Sequence, residues 1–258
     1  MNVCECINSE KRRMNMFICP KTKQPLRIDW QHHEATSAQG DVSYPIVDGI
    51  LDFVGHDRHV VRESYDHVAG VYDQFLTSPT PLTKLYNALV WGLEDREYVT
   101  PLLDGFPEPT GGECIIDIPV GTGAFTVDVY ARLCRRATII VMDYSVGMLQ
   151  QAKTCYEARG IDNIIYACAD VGNLPLVDGC GDVLLTMNGY HAFPEKTRAL
   201  TELARILKPN GAVLGCFYVK HERWFTDSVY QACVHASGDV YSTISYNCGS
   251  QRHLGTIF

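Results

Sequence analysis

The chain has 258 residues, 46% of them hydrophobic and 20% charged, enough to bury a sizeable core in one domain, or in one domain with a small appendage. Its formal charge of −8 argues against long duplex nucleic acid as a partner, because phosphates call for a basic surface. No stretch reaches the roughly 18 apolar residues of a membrane span, residues 1–13 lack the apolar centre of a secretory leader, and the eleven cysteines, odd in number and mostly inside apolar runs, read as free thiols of a cytoplasmic protein.

Residues 1–16 are polar, carry Lys11-Arg12-Arg13, and read as a loosely ordered tail. A small β unit is expected over 17–56. It has strand signal at 17–20, 25–30 and 44–54, a polar loop over 32–41, and a turn at Asp48-Gly49. Residues 57–110 are expected as a helical cover and linker. Val61, Tyr65, Val68 and Tyr72 recur at roughly helical spacing, as do Leu82, Leu85, Tyr86, Leu89 and Val90 after Thr80-Pro81. Phe106 to Gly112 is rich in breakers and leads into the core.

From 111 to 258 strands and helices alternate. Strands are expected over 114–118, 138–142, 164–169, 182–188 and 212–218, and helices over 124–134, 146–159 and about 195–207. Ser145 is an N-cap for the second helix and Gly160 its stop. The third helix should bury Leu200, Leu203 and Leu207 and end at Lys208-Pro209-Asn210-Gly211. This alternation predicts an α/β fold with a Rossmann-like, doubly wound, mostly parallel sheet. A helix over 224–232 and an antiparallel hairpin from 240–246 and 254–258 should follow. The last strand stops on apolar residues, so further residues are expected beyond Phe258.

The chemistry centres on Ile115-Ile116-Asp117-Ile118-Pro119-Val120-Gly121-Thr122-Gly123. A β-branched run ends in an acid, and a glycine turn opens a helix, so backbone N–H groups can approach a ligand there. Thr126 stands where a dinucleotide loop has its third glycine, which counts against a nicotinamide oxidoreductase. Asp143 ends the second core strand, where an acid can take a ribose diol, and Asp170 follows the third. Three carboxylates would repel a diphosphate. They suit a cationic nucleoside without phosphate. Each of Asp117 and Asp143 could alternatively cap the helix after it. Tyr190 and His191 follow the fourth strand, where an acceptor would bind, and His191 is the candidate base.

Residues 114–219 resemble the class I S-adenosylmethionine-dependent methyltransferases, in particular the group that includes quinone-biosynthesis and small-molecule methyltransferases. The matching pieces are "IIDIPVGTGAF", "IIVMDYSVGMLQQAK", "ADVGNLPLVDGCGDVLLTMNGYHAF" and "ALTELARILKPNGAVL", in the family's order. The resemblance implies S-adenosylmethionine as cofactor and S-adenosylhomocysteine as product. It implies that Asp117 orients the turn, through water or the methionine ammonium, while Gly121, Thr122 and Gly123 approach the methionine portion. Asp143 would take the ribose hydroxyls, Tyr144 and Met148 pack on the adenine, Asp170 and the Val171 N–H meet its edge, and the Asn188 backbone hold the ammonium. Tyr65 or Tyr72, which share the helical cover with His67, would close over the cofactor. Apart from the resemblance, Lys220, His221 and Trp224 follow the fifth strand and are candidates to line the acceptor pocket. Pro119 departs from the usual glycine and removes one N–H from the turn.

The stretch "ICPKTKQPL … YPIVDGILDFV" resembles the zinc-ribbon-like activator subunit of some tRNA and protein methyltransferases. A ribbon needs two pairs of ligands. Here Thr22 stands where the partner of Cys19 should be, which implies a metal-free remnant. The alternative is a zinc site from Cys4, Cys6, Cys19 and His32 or His33. The unit also offers a surface for a homodimer or another partner. The expected activity is methyl transfer to a small-molecule O, N, C or S acceptor. The alternatives are an RNA base methyltransferase, or a non-catalytic protein that binds S-adenosylmethionine or acts as a scaffold.

Overall fold

A computed structural model describes residues 15–55, 106, 111–134, 136–187, 189–190 and 193–216. The expected tail, helical cover and C-terminal hairpin lie outside the described residues. The elements are β1 (Leu26–Asp29), β2 (Glu34–Ser37), β3 (Ser43–Val47), β4 (Ile50–Asp52), β5 (Glu113–Asp117), α1 (Val127–Leu133), β6 (Ala137–Asp143), α2 (Val146–Glu157), β7 (Ile164–Cys168), β8 (Gly181–Met187), α3 (Lys196–Ile206) and β9 (Leu207–Cys216).

The apolar runs that read as strands do so because both their faces are covered. All seven residues of β6 and all five of β7 are buried, the mark of parallel strands between two layers. Successive residues serve opposite layers. Ile115, Ile139 and Val141 pack with Leu149, Tyr130 and Tyr156 from α1 and α2. Ile116, Ile140 and Met142 pack with Leu203 and Ile206 from α3 and with Phe17 and Leu51 from the N-terminal unit.

One nine-stranded sheet runs in the order β1-β2-β3-β4-β7-β6-β5-β8-β9. From β4 to β9 the pairings are parallel. After β5 the chain winds first to one side, through β6 and β7, and then to the other, through β8 and β9. The ends of β5 and β8 therefore flank a topological switch point, where ligands of doubly wound sheets bind.

Four expectations need correcting. The unit over 17–56 is not set apart from the core sheet. β4 pairs in parallel with β7, Leu51 opposite Ala167, and extends that sheet. Residues 32–41 are not all loop. β2 pairs with β1 and β3, burying Ala35 and Ser37 while Glu34 stays exposed. Its alternation is real but uses residues too small to read as apolar. On α3 the buried positions are Ala199, Leu203 and Ile206. Leu200 is 43% exposed, one position off that stripe, and Leu207 already belongs to β9. Finally, residues 208–211 are an irregularity within β9 instead of a loop before it. Gly181 pairs with Leu207 and Val183 with Ala212, Asn210 takes φ 68°, and Lys208 Nζ donates to both oxygens of Asp182 at 2.7 Å.

The hairpin turn agrees with its sequence signal. Asp48 and Gly49 have φ of 52° and 79°, the pair of positive values a two-residue hairpin turn of this kind requires.

Candidate cofactor site

The site is built on three adjacent strand ends. Asp117 closes β5, Asp143 closes β6, and Asp170 lies two residues past β7. The glycine turn follows β5. Its start is fixed by the Ile118 N–H donating to the Leu185 carbonyl and the Val120 N–H donating to the Met142 carbonyl, both at 2.9 Å. Gly121 and Gly123 have φ of 57° and 74°, values that a side chain makes costly. Gly123 also has no room for one. A Cβ there would lie 2.7 Å from the Tyr156 ring. The Ile118–Pro119 peptide is cis. The Pro119 ring lies against Gly189, where a Cβ would come within 2.0 Å of it, so the turn after β5 meets the end of β8 closely.

The two acids nearest the turn do different work. Asp143 ties the turn to α2. Its Oδ2 accepts from Gly121 N–H at 2.9 Å and its Oδ1 from Ser145 N–H at 3.0 Å. Ser145 caps α2 through Met148 N–H at 3.1 Å. The carboxylate expected to meet the ribose thus holds both the turn and the capping residue Ser145. Asp117 accepts from Tyr130 O–H at 2.7 Å, and its Oδ1 is buried without a hydrogen-bond partner. Burial pushes the Asp117 carboxyl up to about 8; the Asp143 charge adds to this, and the Tyr130 hydrogen bond opposes it.

Behind the turn stands a polar cluster that sequence reasoning missed. Tyr130 and Tyr156 are fully buried, their rings 5.6 Å apart. The Tyr156 hydroxyl and Thr126 Oγ1 are hydrogen-bonded at 2.6 Å. Burial raises both phenols well above their ordinary value. The one signal in the sequence is a tyrosine on the inward stripe of each helix, which reads first as packing.

The remaining expected residues distribute as follows. Thr122 is buried in the turn and Met148 in the first turn of α2. Tyr144 is partly buried, and its carbonyl accepts from Cys168 Sγ at 3.3 Å. Asp170 Oδ1 accepts from Gly172 N–H at 2.9 Å, and Val171 beside it is 9% exposed. These residues and the turn share the carboxyl ends of β5, β6 and β7. Tyr190 sits edge-on to Phe193 at 6.0 Å, with Lys196 Nζ over its ring. Asn188, His191, Tyr65, Tyr72, His67, Lys220, His221 and Trp224 lie outside the described residues.

The zinc alternative places Cys4 and Cys6 outside the described residues too. Cys19 Sγ is hydrogen-bonded to Tyr44 O–H at 3.2 Å and accepts from Thr22 N–H at 3.3 Å. His32 faces Asp29 at 2.9 Å. Among the described residues no group of three histidines, cysteines or carboxylates is placed to hold a metal. The described cysteines are free thiols, most of them buried, and no described helix is long and apolar enough to cross a membrane.

S-adenosylmethionine fits the residues present. A buried carboxyl oxygen without a partner, at Asp117, suits an ammonium. A carboxylate oriented by two backbone N–H groups, at Asp143, suits a diol. The turn offers close backbone approach and no side chain that would pair with a diphosphate.

Known proteins agree with this reading. A family model described as a methyltransferase domain matches residues 115–211. A ubiquinone/menaquinone biosynthesis C-methyltransferase of Acidiphilium cryptum is 32% identical over 61% of this chain and 58% of its own length. A demethylmenaquinone methyltransferase of Clavibacter sepedonicus is 28% identical over 60% of this chain and 57% of its own. The chain thus spans somewhat more than half of these curated relatives. Among solved structures, the [4+2]-cyclase SpnF superposes with a TM-score of 0.50 at 21% identity, over 64% of this chain and 63% of that one, a likeness that speaks to the fold alone. Sheet order, glycine turn and these matches agree with the class I S-adenosylmethionine-dependent methyltransferase fold that the sequence resemblance implies, and residues 115–211 match a methyltransferase domain.

Proposed function

We propose that the chain transfers a methyl group from S-adenosylmethionine to a small-molecule acceptor. The observation that carries this is the convergence of Asp117, Asp143 and Asp170 on three adjacent strand ends around a turn that lacks a third glycine. When bound, the cofactor supplies a methyl on a sulfonium, open to in-line displacement. The chain's residues bind and orient. Asp117 holds the ammonium, Asp143 the ribose diol, and Asp170 with the Val171 N–H the adenine edge. Met148 and Tyr144 pack on its faces, Gly121 to Gly123 bring backbone against the methionine portion, and the Asn188 backbone helps hold the ammonium.

Holding two reactants in line can account for up to about 7–11 kcal/mol of barrier lowering, and a base is needed only where the acceptor carries a proton. His191 and Tyr190, following β8, are the residues we assign to that step. One relative is named a ubiquinone/menaquinone biosynthesis C-methyltransferase and the other a demethylmenaquinone methyltransferase. A ring carbon of a quinol-like acceptor is therefore the first to test. We place the enzyme in the cytoplasm.

The test is turnover of methyl-labelled donor by the full chain against quinols, phenols, amines, thiols and RNA. Label in a small-molecule acceptor is expected, with a slower rate in His191→Ala if that acceptor is protonated. Label in RNA alone, or no transfer despite tight binding of the donor, contradicts the reading.

A further inference from the structure

The loop that carries Asp170 is gripped by the N-terminal unit. Residues 16–18 run antiparallel to 175–177. Ile18 N–H donates to the Pro175 carbonyl at 3.1 Å, Val177 N–H donates to the Met16 carbonyl at 2.9 Å, and Phe17 pairs with Leu176 between them. Phe17 and Leu176 are both fully buried. Beside this bridge Lys23 Nζ donates to Asn173 Oδ1 at 2.7 Å, across 150 residues of sequence. Asn173 N–H donates to the Asp170 carbonyl at 2.8 Å, and Gly172 N–H to Asp170 Oδ1 at 2.9 Å. Consecutive contacts thus lead from the N-terminal unit to the acid assigned to the adenine.

The opposite side of the loop is held by α3. Leu174 N–H donates to Glu202 Oε2 at 2.8 Å, and the Arg205 guanidinium donates to the Leu174 and Leu176 carbonyls at 3.1 and 2.7 Å. The loop is therefore fixed between two elements distant in sequence. A binding loop fixed in advance loses little freedom when its ligand arrives, whereas a loose one must be ordered at the expense of affinity.

We propose that the N-terminal strand unit is part of the nucleoside site: it fixes the 170–177 loop, and Lys23 is a positioning residue for Asp170 through Asn173. This rests on the reading of the crevice as an S-adenosylmethionine site. The Phe17 bridge belongs to the core, so its removal would disturb folding. The Lys23 contact is exposed, which makes Lys23 the cleaner probe.

Calorimetry on the full chain with S-adenosylhomocysteine and its inosine counterpart tests this. Inosine presents a carbonyl oxygen where adenosine has an amino donor, so it meets the Asp170 carboxylate with an acceptor. The wild type should prefer the adenosine form. Lys23→Ala should weaken that form about three- to fivefold, the worth of a modest hydrogen bond, and the inosine form less, so the preference shrinks. Lys23→Arg, which keeps a cationic donor, should restore it. Coupling is reciprocal, so saturating S-adenosylhomocysteine should also slow amide exchange at Ile18 and Val177.

An unchanged preference in Lys23→Ala overturns the positioning role. Unchanged exchange at both amides overturns the wider proposal and leaves the cofactor reading intact. Failure of the wild type to bind S-adenosylhomocysteine defeats both.

Discussion

Tyr130→Phe removes one hydroxyl from the back of the site and leaves the packing of the ring in place. That hydroxyl donates to Asp117 at 2.7 Å and favours the carboxylate, against burial and the Asp143 charge, which together hold the group at about 8. The ordinary value of a free aspartate is 3.8. Between these values Asp117 holds a proton in the ligand-free folded chain that it has lost in the unfolded chain. The contribution of Asp117 to stability therefore falls as pH rises through that window, by up to about 1.4 kcal/mol per pH unit. Ligand binding has the opposite sign. An ammonium beside Asp117 favours the carboxylate, so binding below pH 8 expels a proton and affinity climbs with pH, by at most about tenfold per unit.

A hydrogen bond to a charged group contributes about 1.5–3 kcal/mol, or about one to two pH units. Tyr130→Phe should shift the climb that far to the alkaline side and weaken S-adenosylhomocysteine about tenfold or more at pH 7. Calorimetry from pH 6 to 9, in two buffers of different ionisation enthalpy, reads both affinity and the proton released. Asp117→Asn isolates the ligand's own titration. A Tyr130→Phe profile that overlays the wild type, or a wild-type profile with no proton release, would refute this reasoning.

Three further outcomes are expected. Asp143→Ala removes the acceptor we propose for the diol together with the partner of Gly121 N–H, and should weaken S-adenosylhomocysteine by more than about tenfold; full affinity would remove the ribose assignment. Gly123→Ala places a Cβ 2.7 Å from the Tyr156 ring at a φ of 74° and should lower stability by about 1–3 kcal/mol; an unchanged urea midpoint would show that the turn is not packed as described. Arg205→Ala breaks the bonds to the Leu174 and Leu176 carbonyls and to Glu202. It should destabilise the fold by about 1–3 kcal/mol, read as a lower thermal midpoint, and a midpoint equal to the wild type's would contradict that.

The parts of the fold that read directly from sequence are those where one local signal suffices. β6 and β7 are continuous apolar runs because both faces are covered. Ser145 caps α2 through its own Oγ. What did not read depends on partners far along the chain. Ile50–Asp52 is a three-residue strand, and nothing in it names β7 as its neighbour. Ala35 and Ser37 are buried only because β1 and β3 flank them. The order of the three acids was legible at the site, but its division of labour was not. Tyr130 and Tyr156 look like core residues until α1 and α2 fold over the turn, where one hydroxyl meets Asp117 and the other Thr126.

A single titration goes furthest toward deciding whether this crevice holds a phosphate-free, cationic nucleoside. The full chain is titrated at pH 8 with S-adenosylhomocysteine and, separately, with reduced nicotinamide dinucleotide. One-site binding of the first, lost in Asp143→Ala, and none of the second is the outcome that Asp117, Asp143 and Asp170 dictate. Binding of the dinucleotide with no response to S-adenosylhomocysteine would contradict it.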